Sequence, residues 1–228
     1  MLRTRLLTAL VGLPLVIAAV WFDGPLPWFT VLAAVIGVLG TWEFFTLSGV
    51  RAYRPLSIAG LILAAALVVQ PHCTFDYALL VLIGGGALST LGMAFLSRQP
   101  GVRIAWTWMM LGVLAIGWLL SLIVEVRLAP AVPNLPDFGR NAVFLALFAT
   151  FGSDTFAYFI GKGLGRHQMA PKISPGKTWE GAAGGLLGGV VVAIILSLDT
   201  PLQVFTAPWQ ALVVGLLVSV FGQLGDLA

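Results

Sequence analysis

The polar and apolar parts of this chain meet in the stretch Lys172-Ile173-Ser174-Pro175-Gly176-Lys177-Thr178-Trp179-Glu180-Gly181. It completes a polar segment, residues 161–178, which carries the basic side chains Lys162, Arg166, Lys172 and Lys177. The apolar run that follows at once approaches the ~20 residues that a helix needs to cross a bilayer. Cations concentrated at the start of a spanning helix indicate a surface that handles an anion.

The composition of the chain is that of an integral membrane protein. Of its 228 residues, 59% are hydrophobic and 9% are charged, whereas a soluble domain carries about 25% charged residues. So much apolar surface cannot be buried in a water-soluble core of this size. The single cysteine, Cys73, excludes an internal disulfide framework and a cysteine-based metal cluster.

Eight apolar runs approach the ~20 residues of a spanning helix. They cover residues 6–22, 28–47, 55–69, 77–96, 104–128, 142–160, 179–198 and 209–227. The first follows Arg3 and Arg5 but lacks a small-x-small cleavage site, which favours a retained helix over a cleaved signal. The fifth is long enough to tilt or to break near Glu125. The sequence therefore predicts an all-α, polytopic membrane protein, with residues 1–228 as a single domain of about eight transmembrane helices.

The basic residues predict the orientation of these helices. If the N-terminus is cytoplasmic, ten of the twelve Lys and Arg residues fall on the cytoplasmic side, and only Arg127 and Arg140 fall outside. The positive-inside rule predicts such an asymmetry. Residues 161–178 then form a cytoplasmic basic loop, and the chain is predicted to be a multi-pass protein of the cytoplasmic membrane.

Four acidic residues lie inside or at the ends of apolar runs, toward the predicted cytoplasmic side: Glu43, Asp154, Glu180 and Asp226. A carboxylate in a spanning helix is costly, so it usually faces a partner or a wet cavity. Oxygen ligands of this kind suit Mg²⁺, which takes one or two carboxylates and completes its shell with water and substrate phosphates. Asp154 and Asp226 are therefore the candidate metal ligands. The alternative for each is a structural ion pair with a neighbouring Lys or Arg.

Residues 174–178, Ser-Pro-Gly-Lys-Thr, resemble part of a P-loop but fail its requirements. The first glycine of that motif would stand at Pro171, and no buried strand is expected before the segment. What remains is a helix N-terminus. Thr178 or Ser174 can cap the helix that begins near Trp179, whose free N–H groups attract phosphate. Lys177 and Lys172 would add point charges.

Glycines recur along the seventh apolar run. Gly181, Gly185 and Gly189 are four residues apart, with Gly184 and Gly188 beside them. A face of small residues lets another helix approach closely in lipid. The sequence therefore predicts close helix packing along this run, and such faces also permit a homodimer. A second glycine cluster, residues 84–86, predicts a packing or flexing point in the fourth run.

Residues 174–181, with Gly184 and Gly185, strongly resemble the integral-membrane phosphatidate cytidylyltransferases, the CDP-diacylglycerol synthases. The resemblance covers nearly the whole chain, because Arg3-Thr4-Arg5-Leu6-Leu7-Thr8-Ala9, Ser153-Asp154-Thr155-Phe156-Ala157-Tyr158 and Gly225-Asp226-Leu227 follow in family order. Many members carry a second lysine where this chain has Gly176. The family's block with a Lys-Arg pair, a Lys-Asp, a His-Gly-Gly and an Asp-Arg-x-Asp is absent. We therefore expect a truncated chain, lacking a further helix, that inserts normally but is inactive or nearly so alone.

The resemblance implies a Mg²⁺-dependent transfer of the cytidylyl group of CTP to phosphatidic acid, giving CDP-diacylglycerol and pyrophosphate. It implies catalytic roles for Lys177, Asp226 and Glu180, with Glu180 orienting Lys177 or a metal-bound water. The metal would be held by Asp226 and Asp154. The residues expected to bind the substrate phosphates are Arg166, Lys172, Ser174, Lys177 and Thr178.

Two other functions fit parts of the pattern. A transporter for an anionic solute would also need a cationic cavity, but transporters commonly have paired halves, and this sequence shows no internal repeat. A related lipid nucleotidyltransferase or a polyprenol kinase that uses CTP is the nearer alternative. Membrane lipids are expected partners, and nucleic acids are not.

The predicted orientation can be tested by labelling single cysteines placed at Arg51, Arg98 and Lys162 in a Cys73→Ala background. We expect a membrane-impermeant thiol reagent to label all three only from the cytoplasmic side, because the positive-inside rule places them there. Strong labelling of any of them from the outside would show that a span has been miscounted.

Overall fold

The computed structural model describes residues 2–22, 27–75, 77–97, 99–171, 174–198, 200–205 and 207–227. Lys172 and Arg98, both named above, lie outside these ranges. The chain forms two compact units, Met1–Leu128 and Ala129–Ala228. The architecture is all-α, as predicted, apart from one short antiparallel hairpin in the second unit.

The first unit contains five helices. They are α1 (Leu2–Trp21), α2 (Trp28–Leu47), α3 (Arg54–Val69), α4 (Ala78–Leu96) and α5 (Val102–Arg127). Single 3₁₀ turns follow α2 at Val50–Ala52 and α3 at Gln70–His72. Helices α2 to α5 share an apolar core that centres on the fully buried side chains of Phe45, Leu67, Met109 and Val113.

Two helices of this unit contain a π-helical segment. In α4 it covers Val81–Gly85 and ends at the predicted glycine cluster. Gly86 is a packing point, because a Cβ there would lie 2.7 Å from a Leu63 methyl group. In α5 the segment covers Val113–Trp118, whereas Glu125 lies in regular helix. Of the two alternatives for this run, a tilt or a break near Glu125, the break is wrong, and the irregularity lies where Gly117 brings α5 close to the backbone of Ala64.

The second unit contains three helices and the hairpin. The helices are α6 (Phe138–Leu164), α7 (Trp179–Ser197) and α8 (Pro208–Gly225). Between α6 and α7, β1 (Gln168–Ala170) pairs antiparallel with β2 (Ser174–Thr178). The segment predicted as a basic loop, residues 161–178, is thus the last turn of α6 followed by this hairpin. The end of α6, the start of α7 and the end of α8 lie together at one end of the unit, because the three helices run alternately up and down.

Among the described residues, six helices, α2 to α7, are long and apolar enough to cross a membrane. The ranges found within α1 and α8 on the same basis are shorter, Leu10–Trp21 and Trp209–Gly225. The polytopic membrane architecture is therefore confirmed, while the count of eight spans stays a prediction.

The glycines of α7 allow close packing against both neighbouring helices, as predicted. Gly184 and Gly188 face α6, where a Cβ would lie 2.6 Å from side-chain atoms of Ile160 and Phe156 respectively. Gly185 and Gly189 also meet α8, because their Cβ positions overlap the side chains of Gln223 and Ser219. Helix α7 is therefore held between α6 and α8 at distances that only glycine permits.

This packing predicts that Gly188→Ala destabilises the protein. The new methyl group would lie 2.7 Å from the Gly152 carbonyl oxygen, and backbone cannot move aside as a side chain can. We expect a loss of about 1–3 kcal/mol, typical of overpacking, measured as a lower melting temperature in detergent.

Gly92→Ala in α4 is the control for this substitution. A Cβ at Gly92 meets nothing within 4 Å, so we expect no loss, and a gain of up to about 1 kcal/mol from the better helix propensity of alanine. Equal melting temperatures for the two variants would contradict the packing argument.

Candidate active site

A cavity of about 600 Å³ lies at the end of the second unit where the hairpin meets the three helices. One face of α6 lines it at helical spacing, with Asp154, Ala157, Tyr158, Gly161 and Lys162. The other lining residues are Met169, Gly176, Lys177, Thr178, Gly181, Ala182, Gln223 and Asp226. Every element of the unit contributes to this list, so the cavity depends on the whole three-helix arrangement.

Lys177, on β2, places its ammonium group out of contact with solvent. Its Nζ lies 3.4 Å from Asp226 Oδ2, yet within the described part of the chain it makes no hydrogen bond of acceptable geometry. The two groups therefore attract each other as an ion pair while the ammonium N–H donors stay unsatisfied. Because an unsatisfied buried cation is costly, this group is suited to an anionic ligand with several acceptor oxygens.

Asp154 and Asp226 are the two carboxylates of the cavity. Asp154 interacts electrostatically with both Asp226 and Lys177, so the structure brings together three of the predicted site residues. The described residues contain no cluster of three or more His, Cys, Asp or Glu side chains that could hold a metal. Two carboxylates nevertheless fit Mg²⁺ bound together with substrate phosphates, which supply the remaining ligands.

The protein itself occupies two N–H groups at the N-terminus of α7. Thr178, one of the two residues predicted as a cap, is the N-cap, and its Oγ1 accepts a hydrogen bond from Gly181 N at 3.1 Å. The backbone N–H of Trp179 donates to the His167 carbonyl at 3.0 Å. Phosphate binding by the end of this helix stays a prediction, with fewer free N–H groups than a bare helix end would offer.

The Glu180 carboxylate makes its contacts outside the cavity. Its carboxylate lies 2.7 Å from His167 Nδ1 and accepts a hydrogen bond from His167 N at 3.2 Å. Together with the bond from Trp179 N, these contacts tie the start of β1 to the start of α7, and we call them the His167–Glu180 clasp. The clasp lies beside Thr178 and Lys177, so it holds the strand that carries the lysine in position.

Two further predicted phosphate-binding residues are not brought to the cavity. Arg166 is exposed and Ser174 is half-buried, and neither lines the cavity wall. Lys172 lies outside the described residues. The structure therefore gathers Asp154, Lys177, Thr178 and Asp226 from the predicted set.

Three polar residues that the sequence reasoning did not assign also line the cavity: Tyr158, Lys162 and Gln223. The sequence could have indicated each of them. Tyr158 and Lys162 follow Asp154 by one and two helical turns, and Gln223 precedes Asp226 by one turn, so each shares a helix face with a predicted site residue. Gln223 Nε2 donates to the Ala182 carbonyl at 3.1 Å and lies 3.5 Å from Ser153 Oγ. Its amide thus joins α8 to both other helices just before Asp226.

Comparison with known proteins gives one consistent family. The family described as the cytidylyltransferase family matches residues 3–228. A phosphatidate cytidylyltransferase of Bacillus subtilis is 31% identical over 236 residues, covering 98% of this chain and 80% of the relative. One of Brucella abortus is 30% identical over 234 residues, covering 100% and 78%, and one of Haemophilus influenzae is 29% identical, covering 86% and 72%.

The Gln223 contacts predict a coupling with Gly185. A Cβ at Gly185 would overlap Gln223 Nε2, so Gly185→Ala and Gln223→Ala each disturb the same contact. We expect each substitution to lower the free energy of unfolding, with about 0.5–1.5 kcal/mol for the lost hydrogen bond. The double variant should lose less than the sum of the two single losses. Stabilities measured in detergent that add within about 0.5 kcal/mol would show that the two residues act independently.

Proposed function

Because the chain belongs to the cytidylyltransferase family, we propose that it transfers the cytidylyl group of CTP to phosphatidic acid. The products are CDP-diacylglycerol, which stays in the membrane, and pyrophosphate. The observation that carries this proposal is the solvent-shielded Lys177 beside two carboxylates in a cavity of about 600 Å³. A cavity of that size suits a small-molecule ligand such as a nucleotide.

The reaction is a nucleotidyl transfer between two anionic substrates. A phosphate oxygen of phosphatidic acid forms a bond to the α-phosphorus of CTP, and the bond between that phosphorus and the bridging oxygen breaks to release pyrophosphate. The attacking phosphate is already ionised near neutral pH, so no strong general base is required. What the site has to supply is positive charge, which lowers the repulsion between the substrates and stabilises charge in the transition state.

Lys177 is the cation best placed for this role. Its ammonium group has almost no contact with solvent and makes no hydrogen bond within the described residues. Water therefore screens its charge only weakly. We assign it to the phosphates of CTP. Thr178 helps indirectly, since its hydroxyl caps α7 and so fixes the residue next to the lysine.

Asp154 and Asp226 would hold Mg²⁺. Among the described lining residues, two lysines balance these two carboxylates, so the cavity as built has no net charge with which to attract a polyanion. A divalent ion supplies the missing positive charge and polarises phosphate oxygens when it is bound. The carboxylates alone would repel CTP, which makes a role in metal binding the best account of their position.

We propose that the cavity opens on the cytoplasmic side of a bacterial inner membrane. CTP is a soluble nucleotide of the cytoplasm, and the predicted orientation places the end of α6 and the start of α7 on that side. The N-terminus is then cytoplasmic as well. The glycine faces of α7 are covered by α6 and α8 of the same chain, so a homodimer would form through other surfaces.

The direct test is incubation of the purified protein, alone and with a family-type C-terminal extension added, with radiolabelled CTP and phosphatidic acid, with and without Mg²⁺. We expect labelled CDP-diacylglycerol only when all three are present, and loss of product when a chelator removes the metal. Transfer of the terminal phosphate of CTP to a lipid alcohol, with no cytidine in the product, would instead indicate a lipid kinase.

We predict that Lys177→Ala lowers kcat by about 10²-fold or more, since removal of one charge-stabilising donor typically costs about 2.7–4 kcal/mol. Turnover should be measured at saturating concentrations of both substrates, with the melting temperature recorded to confirm folding. Lys162→Ala should lower kcat less, because that side chain is exposed. Equal and small effects of the two substitutions would show that neither lysine acts on the reacting phosphates.

A further inference from the structure

We propose that Lys162 and Tyr158 form a separate binding site for the phosphate headgroup of phosphatidic acid at the rim of the cavity. This inference rests on the proposed function and assigns its two anionic substrates to different lysines. Lys177 takes the phosphates of CTP, and Lys162 takes the phosphate monoester of the lipid.

Lys162 is a cation that is available for a ligand. It lies in the last turn of α6 and lines the cavity, and its Nζ lies 3.5 Å from Tyr158 OH and 5.6 Å from the centroid of the Tyr158 ring. Within the described parts of the chain no carboxylate forms an ion pair with it, whereas Lys177 is paired with Asp226. A phosphate beside this pair could accept hydrogen bonds from both the ammonium and the phenol group.

The surroundings of Lys162 are those of a lipid-facing surface. Tyr158 is 60% exposed, Phe159 and Leu164 are each 67% exposed, and all three belong to a helix apolar enough to cross the bilayer. Exposed aromatic and aliphatic side chains on such a helix contact acyl chains or the headgroup boundary. Lys162 at the helix end is positioned to extend its ammonium group to the membrane surface, as lysine side chains near helix ends do.

The two lysines differ in their surroundings. Lys177 Nζ is shielded from solvent and paired with Asp226, whereas Lys162 is exposed at the end of α6. Lys177 interacts with Asp154 and Asp226, the proposed metal ligands, and metal and nucleotide phosphates belong together. The acyl chains of phosphatidic acid have to stay in the bilayer, so its phosphate approaches from the lipid-facing rim, where Lys162 lies.

Steady-state kinetics of Lys162→Gln test the assignment. With phosphatidic acid presented in mixed micelles, we expect its KM to rise about tenfold, since one charge-assisted hydrogen bond is lost. The KM for CTP should change less than about twofold. A rise confined to CTP, rises in both constants, or no change in either would each overturn the proposal.

Arg103→Gln is the matched control, because Arg103 is another exposed cation near an aromatic ring, with its guanidinium carbon 5.1 Å from the centroid of Phe95. It lies outside the cavity, so both KM values should stay as in the unaltered protein. An equal effect of Arg103→Gln would show that Lys162 attracts anionic micelles only through general surface charge, and would overturn the proposal.

A binding measurement separates this proposal from the proposed function. Native mass spectrometry of the detergent-solubilised protein should show more bound phosphatidic acid than phosphatidylcholine, and Lys162→Gln should lose this preference while Arg103→Gln retains it. If the preference depends on Lys162 but the unaltered protein forms no CDP-diacylglycerol either alone or with the C-terminal extension, the proposed function fails and the lipid site stands. If CDP-diacylglycerol is formed and the preference survives in Lys162→Gln, the lipid site fails and the function stands.

Discussion

Close contact between the backbones of α6, α7 and α8 is the constraint on which the rest of the second unit depends. Gly188 of α7 lies against Gly152 and Phe156 of α6, and Gly189 lies against Ser219 of α8. Lipid gives helices little hydrophobic reason to associate, so van der Waals contact and interhelical hydrogen bonds have to hold them. Glycine allows van der Waals contact because the backbones can approach closely. It also allows interhelical hydrogen bonds, because side chains such as Gln223 can enter the space that a Cβ would fill.

The active-site geometry follows from this arrangement. Asp154 comes from α6, Lys177 from the strand before α7, and Asp226 from the end of α8, so the three groups meet only if the helix ends are held together. The resulting cavity has cations and carboxylates in balance. On the proposed function, a polyanion and a divalent ion would therefore each favour the binding of the other in this cavity.

Much of this could be predicted from the sequence, because the strongest signals are local. Hydrophobic runs predict the helices, glycine spacing predicts the faces of α7, and Thr178 before an apolar run predicts its cap. The hairpin could not be predicted, since strands of three and five residues that include Pro175 and Gly176 show no alternating pattern. The His167–Glu180 clasp joins residues thirteen positions apart, and its side chains meet only once the hairpin has folded.

The clasp and the cap have a consequence for the entropy of binding. Strand β2 ends at Thr178, and α7 begins at the next residue, so no flexible linker separates Lys177 from a spanning helix. The backbone that carries the lysine is therefore ordered when the protein folds, and a ligand does not have to order it again. Loops that close on phosphates lose conformational freedom with every binding event, whereas here the backbone of the cation proposed to bind phosphate is preorganised, and only its side chain has to adjust.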